Sequence, residues 1–142
     1  MERILFICGR NSGRSQMAEA YLKMLGKEEY QVYSAGLDPA ESVNPLVVEV
    51  MKEEGIDLSH HRPKKAFDLL KRGELFSYVI TVCDRETDLR CPVFPGITRR
   101  ENWPFPDPEN VTGTKAEKLD QVRSIRDAVK SRIAGFFGPF QK

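Results

Sequence analysis

The stretch Ile4-Leu5-Phe6-Ile7-Cys8-Gly9-Arg10-Asn11-Ser12-Gly13-Arg14-Ser15 decides the fold. Its first four residues are apolar without interruption, which reads as a short strand buried on both faces. Over residues 15–25 the apolar side chains Met17, Ala20, Tyr21, Met24 and Leu25 follow helical spacing. A strand, a loop of small and polar residues and a helix start together form an anion cradle. Unpaired backbone amides and the positive end of the helix dipole both face the loop. Such surroundings favour the thiolate form of a cysteine. The loop reads as built to attack a tetrahedral oxyanion.

Each loop residue has an expected part in holding that anion. Gly9 and Gly13 are read as adopting positive φ, so that the chain can wrap closely around it. Asn11 tolerates a left-handed conformation and can tie the loop to itself through its amide. Arg14 offers a planar fork to two oxygens, which a lysine does not. Ser15 is expected to cap the helix and to donate a hydrogen bond to the Cys8 sulfur. Arg10 and Ser12 complete a substrate-binding run over residues 9–14.

Cys8-x5-Arg14-Ser15, with Asn11 inside it and Gln16-Met17-Ala18-Glu19 after it, resembles the low-molecular-weight tyrosine phosphatase superfamily. The longer run from Asn11 through Ser15 to Glu19 is more similar to its thioredoxin-coupled arsenate reductase branch. The resemblance continues through Val32-Tyr33-Ser34-Ala35-Gly36, Asn44-Pro45, Gly55-Ile56-Asp57-Leu58-Ser59, Cys91-Pro92 and Trp103 to Asp107-Pro108. It therefore spans nearly the whole chain.

A length of 142 residues suits one domain, read here as residues 1–142. With 40% hydrophobic and 30% charged residues, a soluble globular chain is expected. A net charge of +1 gives no reason to expect nucleic acid or an anionic membrane as a partner. No apolar run approaches a membrane span, and Met1-Glu2-Arg3 is read as entering a strand rather than a signal peptide. Three cysteines argue for a reducing cytoplasm and against a structural disulfide framework, while leaving room for transient catalytic disulfides.

Further elements follow from local signals. Residues 31–36 and 78–83 read as strands, and residues 97–102 as a weaker one. Asn44 and Pro45 make a good helix start, with the helix stopping at Gly55. A shorter helix is expected over residues 64–72. Thr114-x-x-Glu117 is a capping box opening a last helix whose apolar face is Leu119, Val122, Ile125, Val129, Ile133 and Phe136. The alternation implies an α/β fold of the low-molecular-weight phosphatase kind: a four-stranded parallel sheet with helices on both faces.

Cys8 and Cys83 each end a hydrophobic strand, and in an open parallel sheet those ends share the ligand-binding edge. If the strands are neighbours, their ends lie about 5 Å apart. Cys83 and Cys91 bracket a polar run of seven residues, read as an exposed, mobile loop. From the residues alone, Cys83 reads equally as a core residue and Cys91 as an incidental loop thiol. The resemblance implies instead a second and a third relay cysteine, with one intervening residue more than the branch usually has. Asp107 sits in the stiff segment Pro104-Phe105-Pro106-Asp107-Pro108; as a residue it fits a turn, and by resemblance it is the general acid.

No metal or cofactor is expected, since the cysteines and His60-His61 do not make a ligand pattern. Some relatives hold potassium at positions matching Asn11, Glu19, Ser34 and an acidic residue. Lys64 stands at that last position, so its ammonium is expected to take the ion's place beside Glu19. The whole implies an arsenate reductase: Cys8 attacks, Arg14 and the loop hold the oxyanion, Asp107 protonates, and Cys83 and Cys91 pass the oxidation to a thioredoxin-like reductant. The rivals are a phosphatase using Cys8, Arg14 and Asp107 on phosphotyrosine or a small phosphoester, and a non-enzymatic anion-binding or redox-sensing protein.

Overall fold

The computed structural model describes residues 2–139. Strands β1 (Glu2–Cys8), β2 (Tyr30–Gly36), β3 (Tyr78–Thr81) and β4 (Arg99–Asn102) form a parallel sheet in the order β2-β1-β3-β4. The helices are α1 (Arg14–Gly26), α2 (Pro45–Lys52), α3 (Ala66–Lys71), α4 (Arg85–Leu89) and α5 (Lys115–Phe137). Short 3₁₀ turns occur at Lys27–Glu29 and Pro108–Asn110.

β1 is a central strand, which explains its unbroken apolar run. Alternate side chains serve two cores on opposite faces. Ile4, Phe6 and Cys8 join a cluster with Met17, Val47, Val129 and Ile133 from α1, α2 and α5. Leu5 and Ile7 join a second cluster with Ala66, Leu69, Phe76 and Phe94. The register sets Cys8 opposite Gly36 of β2, and Ile7 opposite Thr81 of β3. The carboxyl ends of three strands are thereby level, and the loop after β1 is flanked on both sides.

The helix signals work as their chemistry suggests. The Asn44 side chain accepts from Leu46 N at 2.9 Å, with Pro45 at the first helical position. Thr114 and Glu117 form both bonds of the capping box. On α5, Val122, Ile125, Val129, Ile133 and Phe137 are buried, and Phe136 is half-buried on the same cluster. Two expectations need correction. The third helix begins at Ala66 rather than Lys64. The run between Cys83 and Cys91 is not an open loop, because the Asp84 side chain accepts from Thr87 N at 2.8 Å and starts α4.

α5 is tied to α2 by charge. Glu53 accepts from Arg123 at 2.7 Å and from Arg126 at 2.9 Å, while Arg126 Nη1 also donates to Val50 O at 2.8 Å. Hydrogen bonds from Arg123, then from Arg126, pull the Glu53 carboxyl from its ordinary 4.5 down to about 2. A depressed carboxylate pKa stabilises the fold above the ordinary value and loses that contribution as pH falls toward the folded one. Chemical denaturation at several pH values between about 5 and 2 should therefore show a shallower acid-side loss of stability in Glu53→Gln than in wild type. Parallel acid limbs would mean that the Glu53 cluster does not contribute.

Candidate active site

The loop between β1 and α1 is held from outside by its carbonyls. The carbonyls of Cys8, Gly9, Arg10 and Ser12 accept from Leu37 N, Asp38 N, Ala40 N and Asn44 N at 2.8–3.2 Å. Asn11 O accepts from Gln16 Nε2 at 3.1 Å, and Gly13 O from Met17 N at 3.0 Å. In a trans peptide each N–H points opposite the preceding carbonyl. Carbonyls engaged with their surroundings therefore turn the amides of residues 9–14 toward the concave side.

Asn11 is the residue in the left-handed conformation, with φ 52°. Gly9 and Gly13 do not adopt positive φ, which corrects the expectation for both. Gly13 packs closely under Pro108, whose Cγ would lie 3.1 Å from a Cβ there. Fully buried, Asn11 uses its whole amide. Oδ1 accepts from Lys64 N at 2.8 Å and Gln16 Nε2 at 3.1 Å, and Nδ2 donates to Ser15 Oγ at 2.7 Å. Ser15 Oγ also lies 2.9 Å from Cys8 Sγ, so its hydroxyl donates to the sulfur once Cys8 is a thiolate. Asn11 N also donates to Cys8 Sγ, at 3.1 Å. Ser15 does not cap the helix; Gly13 holds the cap position without a side-chain bond.

Arg14 is buried and held by the opposite wall. Nη1 donates to Phe105 O at 3.1 Å, and Nη2 lies 3.4 Å from Asp107 Oδ2. Asp107 also caps its own 3₁₀ turn, accepting from Glu109 N at 2.9 Å. Cys8, Arg10, Ser12, Gly13 and Arg14 thus face Asp107, Pro108 and Glu109 across one narrow cleft.

Cys83 lies two residues beyond β3, beside the end of β1, and is buried in the same cluster as Cys8. Burial, and next the proximity of Cys8, push its thiol up to about 12. Cys91 is buried in the other cluster, with Phe76 and Phe94, and burial raises its pKa while Arg100 opposes the rise. The two clusters lie on opposite faces of the sheet, which separates Cys91 from Cys8 and Cys83. Among the described residues no group of three or more His, Cys, Asp and Glu side chains is placed to hold a metal ion.

Glu19 is buried behind the loop. Ser34 Oγ donates to its Oε1 at 2.5 Å, Lys23 Nζ to its Oε2 at 2.7 Å, and Lys64 Nζ lies 3.8 Å from Oε1. His61 Nδ1 stands 3.3 Å from Gln16 Oε1, while His60 is exposed near Asp57.

Sequence reasoning missed Gly36 as part of this site. A Cβ at Gly36 would lie 2.8 Å from Asn11 N and 2.9 Å from Arg10 C. The signal lay in the sequence only as a glycine at the end of a strand.

The family model described as low molecular weight phosphotyrosine protein phosphatase matches residues 3–142. An arsenate reductase of Shouchella clausii (strain KSM-K16) is 40% identical over 134 residues, covering 94% of this chain and 93% of that protein. Among solved structures, an arsenate reductase in its oxidized state superposes with a TM-score of 0.79 at 29% identity, covering 95% of each chain. A thioredoxin-dependent arsenate reductase of Corynebacterium glutamicum does so with a TM-score of 0.73 at 29% identity, covering 96% of this chain and 60% of that one.

Gly36→Ala tests the close approach of β2 to the loop. The clash is with backbone, so the loop rather than a side chain has to give, at a cost of about 1–3 kcal/mol. Denaturant unfolding should show that loss, and iodoacetamide labelling of Cys8 should change in rate as the loop shifts. Wild-type stability together with wild-type Cys8 reactivity would show that the loop tolerates the methyl group.

Proposed function

The chain belongs to the low-molecular-weight phosphotyrosine protein phosphatase family, and within it we propose that it is an arsenate reductase working through three thiols. The observation that carries the reading is Cys83, buried near Cys8 in the same core cluster. Hydrolysis of a phosphoester has no use for a second thiol there. Reduction needs one, because a cysteine delivers two electrons only by ending in a disulfide.

In this proposal the Cys8 thiolate attacks arsenic while the inward amides and Arg14 hold the other oxygens. Asp107 protonates the departing oxygen, which leaves as water. Cys83 gives up its proton and attacks Cys8 Sγ. The sulfur–arsenic bond breaks, its electron pair stays with arsenic, and arsenite leaves from a Cys8–Cys83 disulfide. Cys91 then attacks Cys83, which returns Cys8 as thiolate and leaves Cys83–Cys91 for a thioredoxin-like reductant. Similarity to arsenate reductases, one of them thioredoxin-dependent, supports the activity and the class of reductant.

The resting geometry sets a condition on the last transfer. Cys91 has to come round the carboxyl edge of the sheet, so α4 must release. That helix is anchored through Asp88, whose Oδ1 accepts from Thr81 Oγ1 at 2.6 Å and from Arg100 Nη2 at 2.9 Å. The high pKa of Cys83 adds a second condition: its proton must go before it attacks, so the disulfide-forming step should quicken as pH rises through the neutral range.

Cys8, Arg14 and Asp107 alone suffice for hydrolysis of phosphoesters, which supplies an internal control. Cys83→Ser should stop catalytic arsenate reduction and leave p-nitrophenyl phosphate hydrolysis largely intact. Cys91→Ser should allow one turnover and accumulate a Cys8–Cys83 disulfide, seen as a linked peptide pair by mass spectrometry. Continuous thioredoxin-driven reduction by both variants would overturn the relay. Asp107→Asn should slow the first chemical step about 10²–10⁴-fold; an unchanged single-turnover rate would assign the proton to another group.

A further inference from the structure

Glu109 has no part in that mechanism, yet it lines the same cleft as Cys8 and Arg14. Its carboxylate accepts from Ser12 Oγ at 3.3 Å, and this contact joins the loop wall to the wall that carries Asp107. Ser12 is only 4% exposed, so the contact is anchored from within the loop. On the other side, Glu109 N donates to Asp107 Oδ1 at 2.9 Å, which fixes the Asp107 carboxylate on the short turn that carries Glu109. A carboxylate on the rim opposes the rest of the site. Arg14 and the loop amides attract an anion, and Glu109 repels it.

We propose that Glu109 is a specificity-determining residue that admits partly protonated inorganic oxyanions and turns away phosphomonoester dianions. The proposal rests on the cleft being the oxyanion site and names the substrate class for it. Near neutral pH, arsenate and phosphate ions carry at least one O–H, which can donate to a carboxylate at the rim. An ester dianion carries none, so Glu109 meets it as an unpaired like charge. Sites built to bond a substrate hydroxyl discriminate against analogues lacking it, because the site's own polar group is left without a partner. The Ser12–Glu109 contact adds a steric reason. The organic group of an ester has to pass between the two walls that this contact bridges, whereas an inorganic ion has nothing beyond its oxygens.

Two variants separate charge from bridge. Glu109→Gln keeps length and an oxygen for Ser12 but removes the charge; Ser12→Ala removes the bridge and keeps the charge. Three quantities are measured on wild type and both variants: kcat/KM for p-nitrophenyl phosphate, kcat/KM for arsenate with thioredoxin and its reductase, and protection of Cys8 from iodoacetamide by inorganic phosphate and by phenyl phosphate. For Glu109→Gln the ester kcat/KM should rise about tenfold while the arsenate value falls, and the protection ratio should shift about tenfold toward phenyl phosphate. Ser12→Ala should move the ratio in the same direction by about threefold. Both activities falling together, or an unchanged protection ratio, overturns the role of Glu109. The protection assay needs no turnover, so a wild-type protein that failed to reduce arsenate would refute the proposed function while the ratio still decided for or against Glu109.

Discussion

The carboxyl edge of the sheet is organised by one buried amide. Asn11 is left-handed and fully enclosed, and its polar atoms reach four directions at once: the Cys8 sulfur, Ser15, Gln16 and the backbone before α3. Few residue types combine tolerance of positive φ with both a donor and an acceptor on so short a side chain. An Asp there would lose the donor to Ser15. A Gly would keep the conformation and lose all of the side-chain bonds. The loop's shape and the sulfur's hydrogen bonds are therefore set by the same residue.

The parts of this arrangement that were legible in the sequence are those encoded within a few residues. The strand, the loop, Arg14 and the helix stand in one short run, and the Asn44 and Thr114 caps are equally local. What the sequence concealed depends on register between distant segments. Gly36 lies hard against the loop because β2 pairs with β1 so that Cys8 and Gly36 are level, which no window around either residue contains. Gly9 and Gly13 look like conformational glycines, yet Asn11 takes the left-handed position and neither glycine has positive φ. Lys64 was expected beside Glu19 by resemblance, and it stands there together with Lys23, which the resemblance did not single out. Cys91 follows the same rule: its distance from Cys83 in sequence is short, but its side of the sheet is a property of the fold.

The charges of the cleft are arranged in opposition rather than in a single sign. Arg14 is buried against Asp107 and the Phe105 carbonyl, so its guanidinium enters the site already oriented. A cation held this way loses less freedom on binding an anion than an exposed one would. Asp107 is in turn held by the turn it caps. Arg14 is thus positioned by the wall facing it and Asp107 by its own turn.

α4 has a further consequence. At five residues it is far too short to persist by helix propensity, and its burial is slight, with exposed Leu89 at one end. What keeps it folded is one aspartate cap and the tether of Asp88 to Thr81 and Arg100. Its melting would break those few bonds and leave β1, β2 and both core clusters in place. The segment between the two cysteines is accordingly a separate unit of stability, one that opens at a small fraction of the free energy needed to unfold the domain. Amide exchange in this stretch would follow its own local equilibrium, set by the side chains of Asp84, Asp88, Thr81 and Arg100, rather than the global one.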